Sequence, residues 1–505
     1  MDGISEVTQM EKNCIQTRNE RTKQSHRMSF VANNCCLTQR VVVGQVTPID
    51  MLPDDILLEI FEFYVDEAAD DTKRGIEAWQ KLVHVCRLWR NTVFGSPHRL
   101  NLRLVCTPET PVRKAMDVWP VLPLCIRGYR YDSPESADDT LAALRHSDRI
   151  YRLELEVGDL DLEDFFRAME VPFPELTYLK FSGNSKDVPI SPVVPDSFLG
   201  GSAPRLKTLI LNHVSFPGFP KLLLSATNLV TLRLHHIPRS GYISSEAMVT
   251  CLPMLTSLRQ LMIIFPYADH KTRHLSRQKR SVLPALTFFE FEGAGKYLKH
   301  LVAHVDAPRL KYLKISINIR FATPLLQFVG RTPSLEAPDN ARFAFTPSAV
   351  RFTLLSHTRI FSMKMYNGYP FRMTDLRVLT LARVCTSALP LLSTVKNIAF
   401  YEPGDPPSQL QWADDIEVTR WLELLQPFTA VKNLYLSEGC GLHIAPALQE
   451  LVEGRMIEVL PSLENLFISG RQPSGPVHEG IGPFVAARQL TVSHWDQRSI
   501  IPKVL

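Results

Sequence analysis

Leu206-Lys207-Thr208-Leu209-Ile210-Leu211, followed by Leu229-Val230-Thr231-Leu232-Arg233-Leu234, sets the same frame twice: L-x-x-L-x-L. With Ile, Val or Phe standing in for Leu, it returns upstream as Ile150/Leu153/Leu155 and Leu176/Leu179/Phe181. Downstream it returns as Leu258/Leu261/Ile263, Leu286/Phe289/Phe291 and Leu310/Leu313/Ile315. After a gap come Leu376/Leu379/Leu381, Val395/Ile398/Phe400, Val431/Leu434/Leu436 and Leu463/Leu466/Ile468. Starts between 176 and 310 lie 30, 23, 29, 28 and 24 residues apart. That period belongs to a solenoid in which each turn supplies one short strand and an outer return segment.

The spaces between frames agree with this reading. Pro174, Pro204, Pro253, Pro284, Pro308, Pro333 and Pro461 stand just ahead of a frame, or of the place where one is due. Proline fixes a bend and cannot donate into a strand ladder. Short helical patterns fill the intervals, among them 162–169, 295–304, 415–425 and 446–459. Around Leu335 the frame lapses. Phe343/Phe345 and Val350/Phe352 read as two strands of an irregular insertion or a distorted turn at 335–352.

Composition bounds the function. The 505 residues carry 56 Lys+Arg against 52 Asp+Glu, a net charge of +4 spread over a large surface. Such a balance gives no reason to expect nucleic acid or an anionic membrane as partner. No apolar run approaches the ~18 residues of a membrane span. The nine cysteines form no C-x-x-C pair, and the chain holds no N-x-[ST] sequon. The polar start lacks the apolar stretch of a secretory signal. A reducing compartment, cytoplasmic or nuclear or both, is the expectation.

Residues 1–47 show no apolar periodicity and read as a disordered tail. The character changes at Pro48, and 48–100 read as a helical unit. Pro53 opens a first helix, with Asp54 and Asp55 in the first turn where the helix dipole favours carboxylates. Between Ile56 and Val65 only Glu59 and Glu62 are polar, so this helix needs cover on more than one side. A second helix is expected over 77–94, its apolar stripe running through Trp79, Leu82, Val85, Cys86, Trp89 and Val93. About fifty residues with so much apolar surface cannot bury it alone. Residues 101–505 hold the repeats.

Motifs that would carry catalysis fail on inspection. Gly293-Ala294-Gly295-Lys296 approaches a phosphate loop, but Glu290 stands where its first glycine belongs and Tyr297 where the metal-binding hydroxyl belongs. His300 and His304 share a helix face, yet Leu301 replaces the glutamate of a zinc protease. The dense basic run at 270–280 reads as a solvated insertion, with a nuclear address or a phosphate-contact loop as the sharper alternatives. No G-x-S-x-G elbow or G-x-G-x-x-G is present. An enzyme is thus unsupported by the sequence, though not excluded, and no cofactor or metal is expected.

One constellation stands out: Leu52-Pro53-Asp54-Asp55-Ile56-Leu57 with Ile60-Phe61, then Leu82-Val83-His84-Val85-Cys86-Arg87-Leu88-Trp89-Arg90. It resembles the F-box, whose pattern is LP-x-[DE]-[LIV]-L-x-x-IF, a spacer, then V-CR-x-W. The segments 95–102 and Asp117-Val118-Trp119-Pro120 resemble the expanded F-box families of mushroom-forming fungi. The resemblance implies an α/β chain: an N-terminal helical F-box followed by an irregular leucine-rich-repeat-like solenoid. It also implies docking on a Skp-type adaptor, and through it on a cullin, as the substrate receptor of an SCF-type ubiquitin ligase. The adaptor-binding set would be Leu52, Pro53, Ile56, Leu57, Ile60, Phe61, Leu82, Val85, Cys86 and Trp89. Leu82, Val85 and Trp89 would either join that face or form the unit's own core. A repeat scaffold outside any ligase is the alternative, and the two helices would also serve as an end cap.

The repeats resemble leucine-rich repeats with one departure. Asn184 and Asn318 hold the family's Asn/Cys position, whereas Val214, Ile237, Pro266 and Ala294 do not. Within each frame the leucines face the core, and alternation turns their neighbours outward. The outward set includes Tyr178, Lys180, Arg233, Phe288, Tyr312 and Tyr435, the expected contacts for a protein substrate, with exposed aromatics as anchors.

Overall fold

The computed structural model describes residues 52–496, excepting 68–77, 108–109, 111, 129–133, 158–161, 184–192, 216–219, 239–241, 266–279, 319–322, 333–334, 336, 367–373, 389, 404–416, 454–458 and 470–475. The expected tail at 1–47, most of the polar loop at 66–75 and nearly all of the basic run at 270–280 lie outside the described residues.

Three short helices come first: α1 (Asp54–Glu67), α2 (Ala78–Val83) and α3 (Arg87–Gly95). The strands follow: β1 (Leu104–Cys106), β2 (Leu124–Gly128), β3 (Ile150–Val157), β4 (Tyr178–Gly183), β5 (Thr208–Asn212), β6 (Thr231–His235) and β7 (Gln260–Ile264). Next are β8 (Ser281–Val282), β9 (Phe288–Gly293), β10 (Val305–Asp306), β11 (Tyr312–Asn318), β12 (Asn340–Phe345), β13 (Ala349–Leu355) and β14 (Ile360–Tyr366). The series ends with β15 (Asn397–Tyr401), β16 (Asn433–Ser437), β17 (Asn465–Ser469) and β18 (Thr491–His494). Sixteen of these form one mostly parallel sheet, and β8 pairs with β10 separately. The protein is therefore α/β.

The alternation within each frame accounts for the core. Leu179 and Phe181, Leu209 and Leu211, and Leu232 and Leu234 are all fully buried, and the residues between them are half-buried on the opposite face. β5 to β7, β9, β11 and β15 to β17 each enter by the same pair of backbone bonds; Lys207 and Thr208, for instance, both donate to the Thr177 carbonyl at 2.8 and 3.1 Å. Outer helices lie between strands, including Leu162–Ala168, Gly295–His304, Val418–Leu425 and Glu438–Glu453.

The sheet order departs from chain order in one place. It runs β11-β14-β13-β12-β15, with antiparallel pairing at β12/β13 and β13/β14 only. The irregular segment expected at 335–352 is thus part of a three-stranded meander reaching Tyr366, inserted back to front. Its buried face is aromatic: the Phe343 ring lies 4.8 Å from Phe352 and 4.7 Å from Phe400. The frame at Leu376/Leu379/Leu381 is not a strand but part of the helix Thr374–Ala388. Val378, Leu381, Ala382 and Cys385 are buried there at helical spacing, a period that outweighs the chance match to the frame.

An amide ladder crosses the later strands. Asn397 donates to Asn340 (3.1 Å), Asn433 to Asn397 (2.6 Å) and Asn465 to Asn433 (2.8 Å), each through Nδ2 to Oδ1. Asn433→Ala removes two of these bonds at half-buried positions, where water can replace part of the loss. We expect it to cost about 1–2 kcal/mol in denaturant unfolding. An unchanged midpoint would show that the ladder adds nothing to stability.

Candidate functional site

Two surfaces carry the residues singled out in the sequence. The first lies on α1–α3. Pro53 accepts the first helical bond of α1 from Leu57 N at 3.1 Å, and Asp54 and Asp55 fill the first turn. At ~100° per residue the apolar side chains of α1 divide into two stripes. Leu57, Leu58 and Phe61 are buried. Ile56, Ile60, Phe63 and Tyr64 fall on the other side, 39%, 47%, 71% and 37% exposed.

The helix expected over 77–94 is broken at His84–Cys86. Cys86 is extended, and its Sγ accepts from Trp89 N at 3.5 Å, so it caps α3. A cap requires non-helical backbone, which ends α2 before it. The break leaves Val85 59% exposed, with Leu88 37% exposed one turn on. Thr92 Oγ1 donates to Asp54 Oδ1 at 3.4 Å, so the α3 face that carries Leu88 meets the start of α1.

The ten residues assigned to adaptor docking therefore separate. Pro53, Ile56, Ile60, Val85 and Cys86 are exposed, and Leu52 and Trp89 are half-buried. Leu57, Phe61 and Leu82 are buried within the chain, Leu57 and Phe61 on the inward stripe of α1 and Leu82 on α2. The Trp89 ring packs 4.7 Å from Phe61. Phe63 and Tyr64 belong to the exposed stripe although the motif does not single them out; their i+7 and i+8 spacing from Ile56 is the signal.

The unit is also joined to the sheet. Trp79, 1% exposed, packs edge-on against Phe94 and Trp119 at 6.0 and 5.2 Å. Its Nε1 donates to the Arg103 carbonyl at 3.0 Å.

Exposure separates the cysteines as well. Burial pushes the Cys106 thiol up to about 12 and Cys251 up to about 11, and it raises Cys125, Cys385 and Cys440. Cys86 is exposed. Thiolate is the reactive form, so native-state alkylation followed by peptide mapping should modify Cys86 well before these five. Equal labelling of Cys106 would mean that the first strands open readily.

The second surface is the sheet face opposite the leucines. Tyr178, Lys180, Arg233, Phe288, Tyr312 and Tyr435 all lie on it, and all are half-buried. Lateral partners hold several of them. The Arg152 guanidinium sits 3.8 Å over the Tyr178 ring. Phe288 stacks on Tyr312 at 4.5 Å and Tyr435 on Phe467 at 4.4 Å. Arg233 donates to Gln260 at 2.9 Å. Burial raises the Tyr312 and Tyr435 phenols, which stay protonated. Phe288 and Tyr312 form one platform, while Tyr178 and Tyr435 lie on separate strands to either side.

Among the described residues no group of three or more His, Cys, Asp or Glu is placed to hold a metal ion. His304 Nδ1 instead engages the His300 carbonyl at 2.9 Å. No helix among the described residues is long and apolar enough to cross a membrane. No family model matches the chain, and no curated protein matches it.

Proposed function

We propose that this protein is a substrate receptor of an SCF-type ubiquitin ligase. In this reading α1–α3 are an F-box that docks on a Skp-type adaptor, and the repeats are a leucine-rich-repeat-like solenoid whose open face captures a protein substrate. The protein itself performs no chemistry. One observation carries the reading: a small helical unit with its own buried core still displays Ile56, Ile60, Phe63 and Tyr64 along one helix face. Contiguous exposed apolar surface of this kind marks a protein interface, and Ile56 and Ile60 are motif positions of the F-box.

The end-cap role of the same helices runs through Trp79 and Trp119, away from that stripe. Capping and docking are therefore compatible. The test is co-purification of the full chain with a Skp-type adaptor and a cullin from a cell lysate. Recovery of both supports the receptor; recovery of neither leaves a repeat scaffold outside any ligase.

A further inference from the structure

The back-to-front meander assembles charges that neither surface above uses. Register places Ser316, Lys364, Arg351, Ala344 and Tyr401 side by side across β11, β14, β13, β12 and β15. The neighbouring row on the same open face reads Lys314, Ser362, Thr353, Arg342 and Ala399. Lys314 is answered by Glu290 at 2.6 Å. Arg342, Arg351 and Lys364 make no ion pair among the described residues.

Arg351 and Lys364 stand directly opposite one another, and like charges so placed repel. Arg351 is exposed; Arg342 and Lys364 are half-buried. Short, buried side chains lie among and beside them: Ser362 and Ala344 within the three strands, Ser316 on β11 and Ala399 on β15. Thr353 and Ser362 share a hydroxyl contact of 3.2 Å. Three long cations and the Tyr401 ring therefore rise from among short side chains, and the nearest carboxylate of the row, Glu292, stands two strands from Lys364.

The geometry points to a docking site for an extended acidic peptide, whose Asp or Glu carboxylates answer Arg342, Arg351 and Lys364. The spacing favours several carboxylates over one focused anion. The cations come from three neighbouring strands, each about 4.8 Å from the next, and so spread over roughly 10 Å. An extended peptide presents same-side groups every ~6.7 Å, a comparable interval. A single anion would need all three side chains to converge. As a statement about substrate the site rests on the receptor reading; as a statement about binding it rests on the sheet alone.

The test titrates the purified full chain with a fluorescein-labelled peptide carrying Glu at every second position. Comparison peptides carry Gln at those positions, with or without one phosphoserine. The Glu peptide should bind, and added salt should weaken it. The Gln peptide should bind at least about tenfold more weakly. R351Q/K364Q should lose about tenfold or more in affinity for the Glu peptide. Its melting temperature should not fall, because the variant removes a repulsive pair. Equal binding of the Gln peptide, or unchanged affinity in the variant, would overturn the site. So would tighter binding of the phosphoserine peptide, which would assign the cations to one focused anion. Adaptor co-purification reads α1–α3 independently: adaptor loss with peptide binding retained counts against the receptor and not against the site.

Discussion

Ile56→Asp combined with Ile60→Asp should abolish capture of the Skp-type adaptor while leaving the melting temperature nearly unchanged. Both side chains are exposed, 39% and 47%, one turn apart on α1. Neither contributes a fully buried group to the fold, and surface substitutions of this kind shift stability by about 0.5 kcal/mol or less. Asp at 56 also sits in the first turn, where a carboxylate suits the helix dipole. Binding is a different matter. Each isoleucine buried against a partner contributes about 1.5–3 kcal/mol, and an unpaired carboxylate there adds a desolvation cost. The combined loss exceeds about 3 kcal/mol, or roughly a hundredfold in affinity. The control is Phe61→Ala, which should destabilise by about 3–5 kcal/mol, the usual cost of emptying a buried aromatic site. A pull-down paired with thermal melts separates the two. If the double Asp variant still captures the adaptor, the receptor reading fails.

Much of the sheet was legible because L-x-x-L-x-L combines a strand period with a fixed repeat length. β3 to β7, β9, β11 and β15 to β17 fall on its frames. The lapses have physical causes. β1, β14 and β18 lack the full frame, and β13 runs antiparallel to both its neighbours, which no repeat period encodes. At 376–381 three apolar positions suit either a strand or a helix, and the buried residues beyond them decide for the helix. The site was legible only in part. The motif named the residues of α1 but could not say which stripe faces inward, because that depends on where α2 and α3 pack. The amide ladder did leave a trace: Asn397, Asn433 and Asn465 occupy the same position in three successive frames. The cations of the meander left none, since Arg351 and Lys364 meet only through the register of β13 and β14.

Trp79→Ala should have the largest effect on stability, and its effect should be local. The side chain is 1% exposed and fills the junction between the helical unit and the sheet, packed on Phe94 and Trp119. Truncating a buried tryptophan costs about 3–5 kcal/mol. The Arg103 carbonyl also loses its 3.0 Å donor, worth about 1 kcal/mol more if water does not replace it. Stability in a repeat array is carried by nearest neighbours, so damage at one end need not travel to the other. Hydrogen exchange should therefore accelerate in α1–α3 and β1 while β5 to β11 stay protected, and adaptor capture should fall with it. Trp79→Phe keeps most of the ring contact and loses only the indole donor, so its cost should be nearer the single hydrogen bond. If Trp79→Ala instead speeds exchange uniformly through β17, helices and sheet unfold as one unit. The loss of adaptor binding would then report global unfolding and not damage at the junction.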